Sequence, residues 1–218
     1  DWPMPVPDDL PRDHQLIFDA PGLRVDILRA PGQVAAVYQW LLAQPWVDAE
    51  RISLIGVSLG AMMAPSAQYL IEQAHAGTHQ DRPPISATLL AFGGVDLRAM
   101  IAENPSLQKT DWAQANPWLL RWTAWAGARA LYPIEPAHYL PELTGQFMVV
   151  NAARDGVIPQ ASVDRFTALV PTPKDTATIA GGHIGADRET PRILRTLTGI
   201  ATGWLIGLGV VNPPNNGL

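Results

Sequence analysis

The chain has 218 residues, of which 47% are hydrophobic and 16% are charged. This composition predicts one globular domain with a sizeable core. The net charge is −5 and no cluster of lysine or arginine is present, which argues against nucleic acids and anionic membranes as partners. Because the chain has no cysteine, thiol catalysis, disulfides and thiolate metal sites are excluded together.

Short apolar runs bounded by turn residues alternate with segments of helical periodicity along the chain. In chain order the pattern predicts a strand at 15–19, a helix at 33–44, a strand at 52–55, a helix from 59 to about 75 that Gly77 stops, strands at 85–92 and 146–151, a helix at 161–170 and a strand at 177–180. Such alternation is typical of an α/β fold with a mostly parallel sheet flanked by helices. Strands this apolar are expected to be buried on both faces.

A serine stands between glycines where the third predicted element passes into the fourth. The segment Gly56-Val-Ser-Leu-Gly60 has the pattern GxSxG, and it joins an apolar strand to a helix rich in alanine and methionine. On a sharp strand-to-helix turn, small neighbours leave the Ser58 hydroxyl projecting from the backbone. The free N–H groups of the helix N-terminus favour an oxyanion beside Ser58, with the Leu59 N–H as the nearest donor. We therefore predict a nucleophile elbow at Ser58.

An activated serine needs a base and an acid, and both follow later in the chain. Asp155 lies in a polar turn after the strand at 146–151, and His183 lies in Gly181-Gly-His-Ile-Gly185 after the last strand. Catalytic groups in open α/β sheets gather outside the carboxyl ends of the strands. A neutral imidazole accepts the serine proton, and the carboxylate fixes its tautomer. The order Ser58, Asp155, His183 predicts a catalytic triad.

Asp96 is the alternative acid, because it also follows the end of a predicted strand, in Gly93-Gly-Val-Asp-Leu97. The turn around Asp155 and its spacing ahead of His183 favour Asp155. An aspartate after a strand is also a common turn former or helix cap.

These segments resemble the serine α/β-hydrolases, a superfamily that includes esterases, lipases, dienelactone-hydrolase-like enzymes and prolyl-oligopeptidase-like peptidases. The phrase from Gln44 to Gly60 is similar to the family's helix, loop, nucleophile strand and elbow, Asp155-Gly-Val-Ile-Pro159 is similar to its acid loop, and His183 to its histidine loop. The resemblance implies Ser58 as nucleophile, Asp155 as acid, His183 as base and the Leu59 N–H as one oxyanion donor. It also implies that no metal or organic cofactor is used.

One segment departs from the family pattern. Phe18-Asp-Ala-Pro-Gly22 resembles the family's strand ending in Asp-x-Pro-Gly, which usually follows the loop with the second oxyanion N–H. Only fourteen residues precede Gln15, and they contain no His-Gly or Gly-Gly pair. We therefore expect the amino-terminal strands of the fold to be missing or replaced by another segment. With one oxyanion donor, turnover is expected to be lower by roughly 10²–10³.

Two further segments bear on substrate and location. Residues 97–145 are expected to form a small helical cap or lid, in which Trp118, Trp122 and Trp125 fall on one helix face at positions i, i+4 and i+7. This face either contacts an apolar substrate or packs on the core, and Arg129 falls on it four residues after Trp125. Residues 196–218 carry no charge but fall short of the ~20 apolar residues of a membrane span, so we expect a final helix packed on the sheet.

The sequence therefore predicts a single α/β-hydrolase-like domain over residues 1–218 that cleaves carboxylic esters with an apolar acyl or alkyl part. Its expected partner is a small-molecule ester, which forms an acyl-enzyme intermediate. A peptidase of the same fold is the nearest enzymatic alternative. A non-catalytic binding protein that keeps the fold without a complete oxyanion hole is the alternative from another class.

Overall fold

The computed structural model describes residues 12–76, 83–185 and 188–213. Its centre is a sheet of four strands in the order β1-β2-β3-β4, and each neighbouring pair is parallel. The strands are β1 (Ser53–Val57), β2 (Ala87–Ala91), β3 (Gln146–Ala152) and β4 (Lys174–Ile179). The predicted fold class, an α/β protein with a mostly parallel sheet flanked by helices, is confirmed.

Helices occupy most of the chain between the strands. Those of the described ranges are α1 (Arg12–Leu42), α2 (Leu59–His75), α3 (Leu97–Ala102), α4 (Pro105–Gln108), α5 (Asp111–Ala115), α6 (Pro117–Ala130), α7 (Gln160–Leu169) and α8 (Thr190–Gly207). The helix predicted from 59 to about 75 coincides with α2, and its stop signal Gly77 lies outside the described residues.

The sheet is apolar on both faces. Successive side chains of a strand point to opposite sides, and the central strands β2 and β3 carry apolar residues at positions of both kinds. Leu90 and Val149 face a cluster that includes Ala61 of α2 and Phe166 of α7. The neighbouring positions form a second cluster with α8, whose members include Leu89, Met148, Val150, Ile193 and Leu197. Each such side chain contributes about 1.5–3 kcal/mol when fully buried. Burial on both faces therefore holds the helices against the sheet.

The two outer strands differ in composition. β4 carries Lys174 and Asp175 at its start, and charged residues are a common feature of strands at a sheet edge. β1 has no charged residue, although within the described part of the chain only β2 pairs with it. Ile55 in the middle of β1 is 49% exposed. The nucleophile candidate Ser58 therefore follows an edge strand with the composition of an interior one.

The strand predicted at residues 15–19, with the Asp-x-Pro-Gly strand end, is wrong. These residues belong to α1, which continues from Arg12 to Leu42 and packs on α2. A run of five residues is too short for periodicity to separate a strand from a helical turn. The second half of the same helix includes the predicted helix at 33–44 except for its last two residues, because α1 ends at Leu42. There buried Tyr38 packs with Ile71.

All the secondary-structure elements between β2 and β3 are helices. This segment contains α3 to α6 and three short 3₁₀ helices at Tyr132–Ile134, Pro136–His138 and Leu140–Glu142. Its role as a cap, residues 97–145, stays a prediction. Residues 196–207 of the uncharged carboxyl-terminal stretch form the second part of α8, as the predicted final helix requires, and residues 214–218 lie outside the described residues. No helix among the described residues has the length and apolar character needed to cross a membrane.

Candidate active site

Ser58 occupies a strained turn between β1 and α2. Its φ and ψ are 54° and −118°, a conformation that non-glycine residues rarely adopt. A Cβ on Gly56 would lie 2.6 Å from the Gly60 carbonyl oxygen and 2.8 Å from Ala61 Cα, so only glycine fits there. A Cβ on Gly60 meets open space. Of the two glycines of the GxSxG pattern, Gly56 is therefore the one required by the close approach of strand and helix.

The three residues predicted to act together form one hydrogen-bonded series. Ser58 Oγ lies 2.7 Å from His183 Nε2, and His183 Nδ1 lies 2.8 Å from Asp155 Oδ2. The imidazole and carboxylate side chains are only 8% and 3% exposed. With the imidazole proton on Nδ1, that nitrogen donates to Asp155 and leaves Nε2 free to accept from the serine hydroxyl.

The turn after β3 fixes the Asp155 carboxylate. Its Oδ1 accepts the backbone N–H groups of Val157 and Ile158, both at 2.9 Å, while Oδ2 faces His183. Burial raises the pKa of this carboxyl, but the hydrogen bonds from His183, Ile158 and Val157 outweigh burial, and the net pKa is lowered. The carboxylate is therefore ionised and oriented at neutral pH.

Backbone hydrogen bonds join the loop of Asp155 to the loop of His183. Ala153 N donates to Ile179 O and Arg154 N donates to Gly181 O, each at 2.9 Å, which extends the pairing of β3 and β4 beyond the strand ends. Gly181 has a φ of 148°, and a Cβ there would lie 3.0 Å from Ile193 Cδ1. This glycine lets the chain turn closely over α8 before it reaches His183.

The alternative acid, Asp96, has a different structural role. It is the N-cap of α3 in a left-handed conformation (φ 64°), and its side chain accepts the Ala99 N–H at 3.1 Å. Glu135 accepts the N–H groups of Asp96 and Leu97 at the same helix end. The position after a strand end that made Asp96 a candidate therefore serves to begin a helix, and His183 is paired with Asp155 instead.

The predicted oxyanion donor, Leu59, is the first residue of α2. Backbone N–H groups in the first turn of a helix have no intrahelical partner. The carbonyl of Ser58 already accepts from Ala61 N at 2.9 Å and from Met62 N at 3.3 Å, so the helix begins immediately after the serine. Its positive dipole end lies beside the Ser58 hydroxyl.

The three tryptophans of α6 do not pack on the core. Trp118, Trp122 and Trp125 are between 49% and 66% exposed, and the core-facing residues of this helix are Leu120 and Ala124. The rings of Trp122 and Trp125 contact each other at 5.7 Å between centroids. Arg129, expected on the face of Trp125, lies over the Tyr132 ring at 5.5 Å. The alternative that this tryptophan face packs on the core is therefore wrong. Its contact with substrate stays a prediction.

The sequence reasoning missed Phe92, whose ring lies 6.0 Å from the His183 ring in an edge-to-face arrangement. Phe92 directly follows β2 and has a φ of 55°. The glycines that follow, Gly93 and Gly94, predicted the end of a strand. Glycine is the residue expected at a positive φ, so the two glycines gave no indication that Phe92 adopts one.

No protein-family model matches the chain, and a search of curated proteins finds no match either. Solved structures do match. Acetyl xylan esterase 1 from Thermoanaerobacterium sp. JW/SL YS485 has a TM-score of 0.56 at 16% identity, over 81% of this chain and 51% of that chain. A 2,6-dihydroxy-pseudo-oxynicotine hydrolase has a TM-score of 0.57 at 19% identity, over 82% and 46%.

A puromycin-hydrolyzing peptidase of Mycobacterium tuberculosis matches with a TM-score of 0.54 at 19% identity, over 83% of this chain and 26% of that chain. The present chain thus spans about half the length of the first two proteins and about a quarter of the third. At these identities the likeness concerns the fold. The parallel sheet, the strand-to-helix turn at Ser58 and these matches together show that the chain has the α/β-hydrolase fold.

Proposed function

We propose that the protein is a serine hydrolase that cleaves carboxylic esters with an apolar acyl or alkyl part. Ser58 is the nucleophile, His183 the general base and Asp155 the acid that orients the imidazole. The observation that carries the proposal is the hydrogen-bonded series from Ser58 Oγ through His183 to Asp155, with distances of 2.7 and 2.8 Å. It ends on a strained serine at a helix N-terminus, the arrangement expected of a nucleophile elbow.

In the acylation step Ser58 Oγ attacks the ester carbonyl carbon while His183 Nε2 takes the hydroxyl proton. Asp155 stabilises the imidazolium through Nδ1 and stays ionised. The tetrahedral intermediate carries its negative charge on the former carbonyl oxygen, which the Leu59 N–H and the positive end of α2 stabilise. Collapse breaks the bond to the alcohol oxygen, and Nε2 returns the proton to the leaving alcohol.

In the second step water replaces the alcohol. His183 takes a proton from the water as its oxygen attacks the acyl carbon, and the same donors hold the second oxyanion. The bond to Ser58 Oγ then breaks, Nε2 gives the proton back to the serine, and the carboxylic acid leaves. Every proton transfer passes through one nitrogen, which explains why Nδ1 must be held by Asp155.

Two alternative functions differ from ester hydrolysis: a peptidase of the same fold and a non-catalytic binding protein. A peptidase of this fold would use the same residues on an amide, and peptidases are among the matching structures. An acetyl xylan esterase is also among the matching structures, so the two substrate classes are separated by the test below. A binding protein would keep the fold and lack turnover, because an oxyanion hole with the Leu59 N–H as its single donor would be incomplete.

The proposal is tested with a fluorophosphonate probe followed by peptide mapping. We expect Ser58 to be modified, and the Ser58→Ala variant to lose both labelling and hydrolysis of p-nitrophenyl butyrate. Ser66 is buried within α2 and serves as a matched position, since its hydroxyl donates to the Met63 carbonyl at 2.9 Å. Modification at Ser66, or at no serine, contradicts the proposal. Faster cleavage of a p-nitroanilide than of the matched ester would assign the site to a peptidase.

A further inference from the structure

Phe92 has a backbone conformation that an aromatic residue rarely adopts. Its φ is 55°, and for a bulky residue such a conformation costs of order 1–3 kcal/mol and persists only where the surrounding structure holds it. Phe92 N donates to the Val150 carbonyl at 2.8 Å, which ties the residue to the end of β3. The side chain is 1% exposed. Buried packing and one backbone hydrogen bond therefore hold the strained residue in place.

The positive φ changes the face of the sheet on which the ring lies. Along β2, Leu89 packs in the cluster of α8, Leu90 packs on the opposite face, and Ala91 returns to the α8 side. Strict alternation would place Phe92 with Leu90. Its ring instead belongs to the α8 cluster, on the same face as Ala91. The strained backbone thus redirects the ring to the side on which the loop of His183 lies.

There the ring contacts the imidazole. The two ring centroids are 6.0 Å apart with an angle of 65° between the ring planes, the edge-to-face arrangement that aromatic rings favour. Hydrogen bonds fix the imidazole at Nε2 and Nδ1. An apolar ring against the imidazole limits its rotation about the side-chain bonds.

We propose that Phe92 is a positioning residue that holds the His183 imidazole between Ser58 and Asp155. The inference rests on the proposed function for its catalytic consequence, although the contact itself does not depend on turnover. Ser58 and Phe92 follow neighbouring strands, and both are non-glycine residues with positive φ. Ser58 N donates to the Ala91 carbonyl as Phe92 N donates to Val150, each at 2.8 Å. The ends of two neighbouring strands, each with a residue of positive φ, therefore bring the Ser58 hydroxyl and the Phe92 ring to His183.

The test compares Phe92→Leu with Phe147→Leu. Phe147 is equally buried, at 1% exposure, but packs in the cluster on the opposite face of the sheet. The first readout is the ¹H resonance of the His183 Nδ1–H in ¹⁵N-histidine-labelled protein, assigned by its loss in Asp155→Asn. We expect the resonance in the wild type and in Phe147→Leu, and its loss or broadening in Phe92→Leu.

The second readout is the hydrolysis of p-nitrophenyl butyrate. Phe92→Leu is expected to lower kcat by about ten- to a hundredfold, because small displacements of a catalytic group carry penalties of that size. KM should be nearly unchanged, since Phe92 is not placed against substrate. Phe147→Leu should retain kcat at a comparable loss of melting temperature. If Phe92→Leu does not fold, Phe92→Met with Phe147→Met replaces the pair.

The two readouts separate the failure of this inference from the failure of the proposed function. A wild type without esterase activity, but with a resonance that Phe92→Leu removes and Phe147→Leu retains, supports the positioning role and contradicts the hydrolase. A resonance and kcat in Phe92→Leu equal to those of Phe147→Leu overturn the positioning role. So does a wild-type protein that shows no such resonance.

Discussion

The backbone of Ser58 is held from both sides of its strained turn. Its N–H donates to Ala91 O in the neighbouring strand, and its carbonyl accepts from Ala61 and Met62 in the first turn of α2. A conformation of this kind costs of order 1–3 kcal/mol. The cost is offset by burial of α2, whose Ala61 and Ala64 lie in the core. The direction of the Ser58 hydroxyl is thus set by the packing of the helix that follows it.

Gly56 and Gly60 make a matched pair for testing the turn. Gly56→Ala places a methyl group against backbone atoms of Gly60 and Ala61, which cannot rotate away, so strand and helix must separate. We expect a loss of about 1–3 kcal/mol in the free energy of unfolding, with reduced ester hydrolysis. Gly60→Ala meets open space and should leave stability nearly unchanged. Urea denaturation of both variants measures the difference, and equal losses would contradict the crowding argument.

Asp155 and Asp96 make a second pair, in which only one carboxylate faces His183. Asp155→Asn puts an amide against Nδ1 and favours the wrong imidazole tautomer, so kcat should fall by about 10⁴ with the fold retained. Asp96→Asn still caps α3 through its amide oxygen and should be mild. Steady-state kinetics with p-nitrophenyl butyrate decide the ranking. The reverse order would transfer the role of the acid to Asp96.

At the residue level, the sequence identified side chains whose chemistry is visible in their type and order. Ser58 in its GxSxG turn and Asp155 and His183 after successive strands were predicted, and the structure brings them into contact. Phe92 was not predicted, because its contribution arises from one backbone angle that reverses the alternation of β2. Nothing in the type of an apolar residue reports such a reversal.

At the level of elements, α6 presents an apolar face that the core does not use. Its tryptophans are exposed while Leu120 and Ala124 are buried, so removal of one ring should change stability little. If this face contacts the acyl chain, Trp122→Ala should lower kcat/KM for medium-chain esters more than for acetate esters. Each methylene of substrate that the ring buries is worth up to ~0.8 kcal/mol.

The comparison uses a chain-length series of p-nitrophenyl esters together with thermal denaturation. Trp46→Ala is the control, since Trp46 is 68% exposed and lies outside residues 97–145. An unchanged chain-length preference in Trp122→Ala would remove the tryptophans from the substrate site. A large drop in melting temperature would show that the helix depends on the ring for its packing.

Elements with a strong local pattern were predicted well, and one with a weak pattern was not. The apolar runs of β1, β2 and β3 and the helix after Ser58 agree with the sequence within a few residues. β4 begins three residues before its predicted start, because its first residues, Lys174 and Asp175, are charged. α1 was misread in its first half because residues 15–19 alone fit both periods, and its packing partner α2 is distant in sequence.

At the level of the whole molecule, the site couples segments that are far apart in the chain. Ser58 and His183 are separated by 125 residues, and the loops of Asp155 and His183 are joined through backbone hydrogen bonds. The three groups therefore meet only in the folded sheet. A property of one of these side chains, such as its pKa, should therefore affect the free energy of unfolding of the whole domain.

The Asp155 carboxyl provides such a property. Its pKa is lowered in the folded protein, whereas an unfolded aspartate titrates near ~3.9. Its ionised form therefore stabilises the fold fully above ~3.9, and this contribution is lost as the pH falls through the folded value. Urea unfolding at neutral and acid pH should show a steeper loss of stability in the wild type than in Asp155→Asn. Asp164→Asn, at an exposed position of α7, should behave as the wild type.

The open side of β1 has a consequence for solvent around the nucleophile strand. Ser58 N donates to Ala91 and Ser86 N to Ile52 O, so the even positions of this strand bond to β2. The amide and carbonyl groups of Ser53, Ile55 and Val57 accordingly point away from it. Among the described residues no other strand pairs with these groups, so we expect water to reach one half of the backbone that precedes Ser58 while the other half bonds within the sheet. The candidate nucleophile would then follow a strand along which the boundary between protein interior and water runs lengthwise.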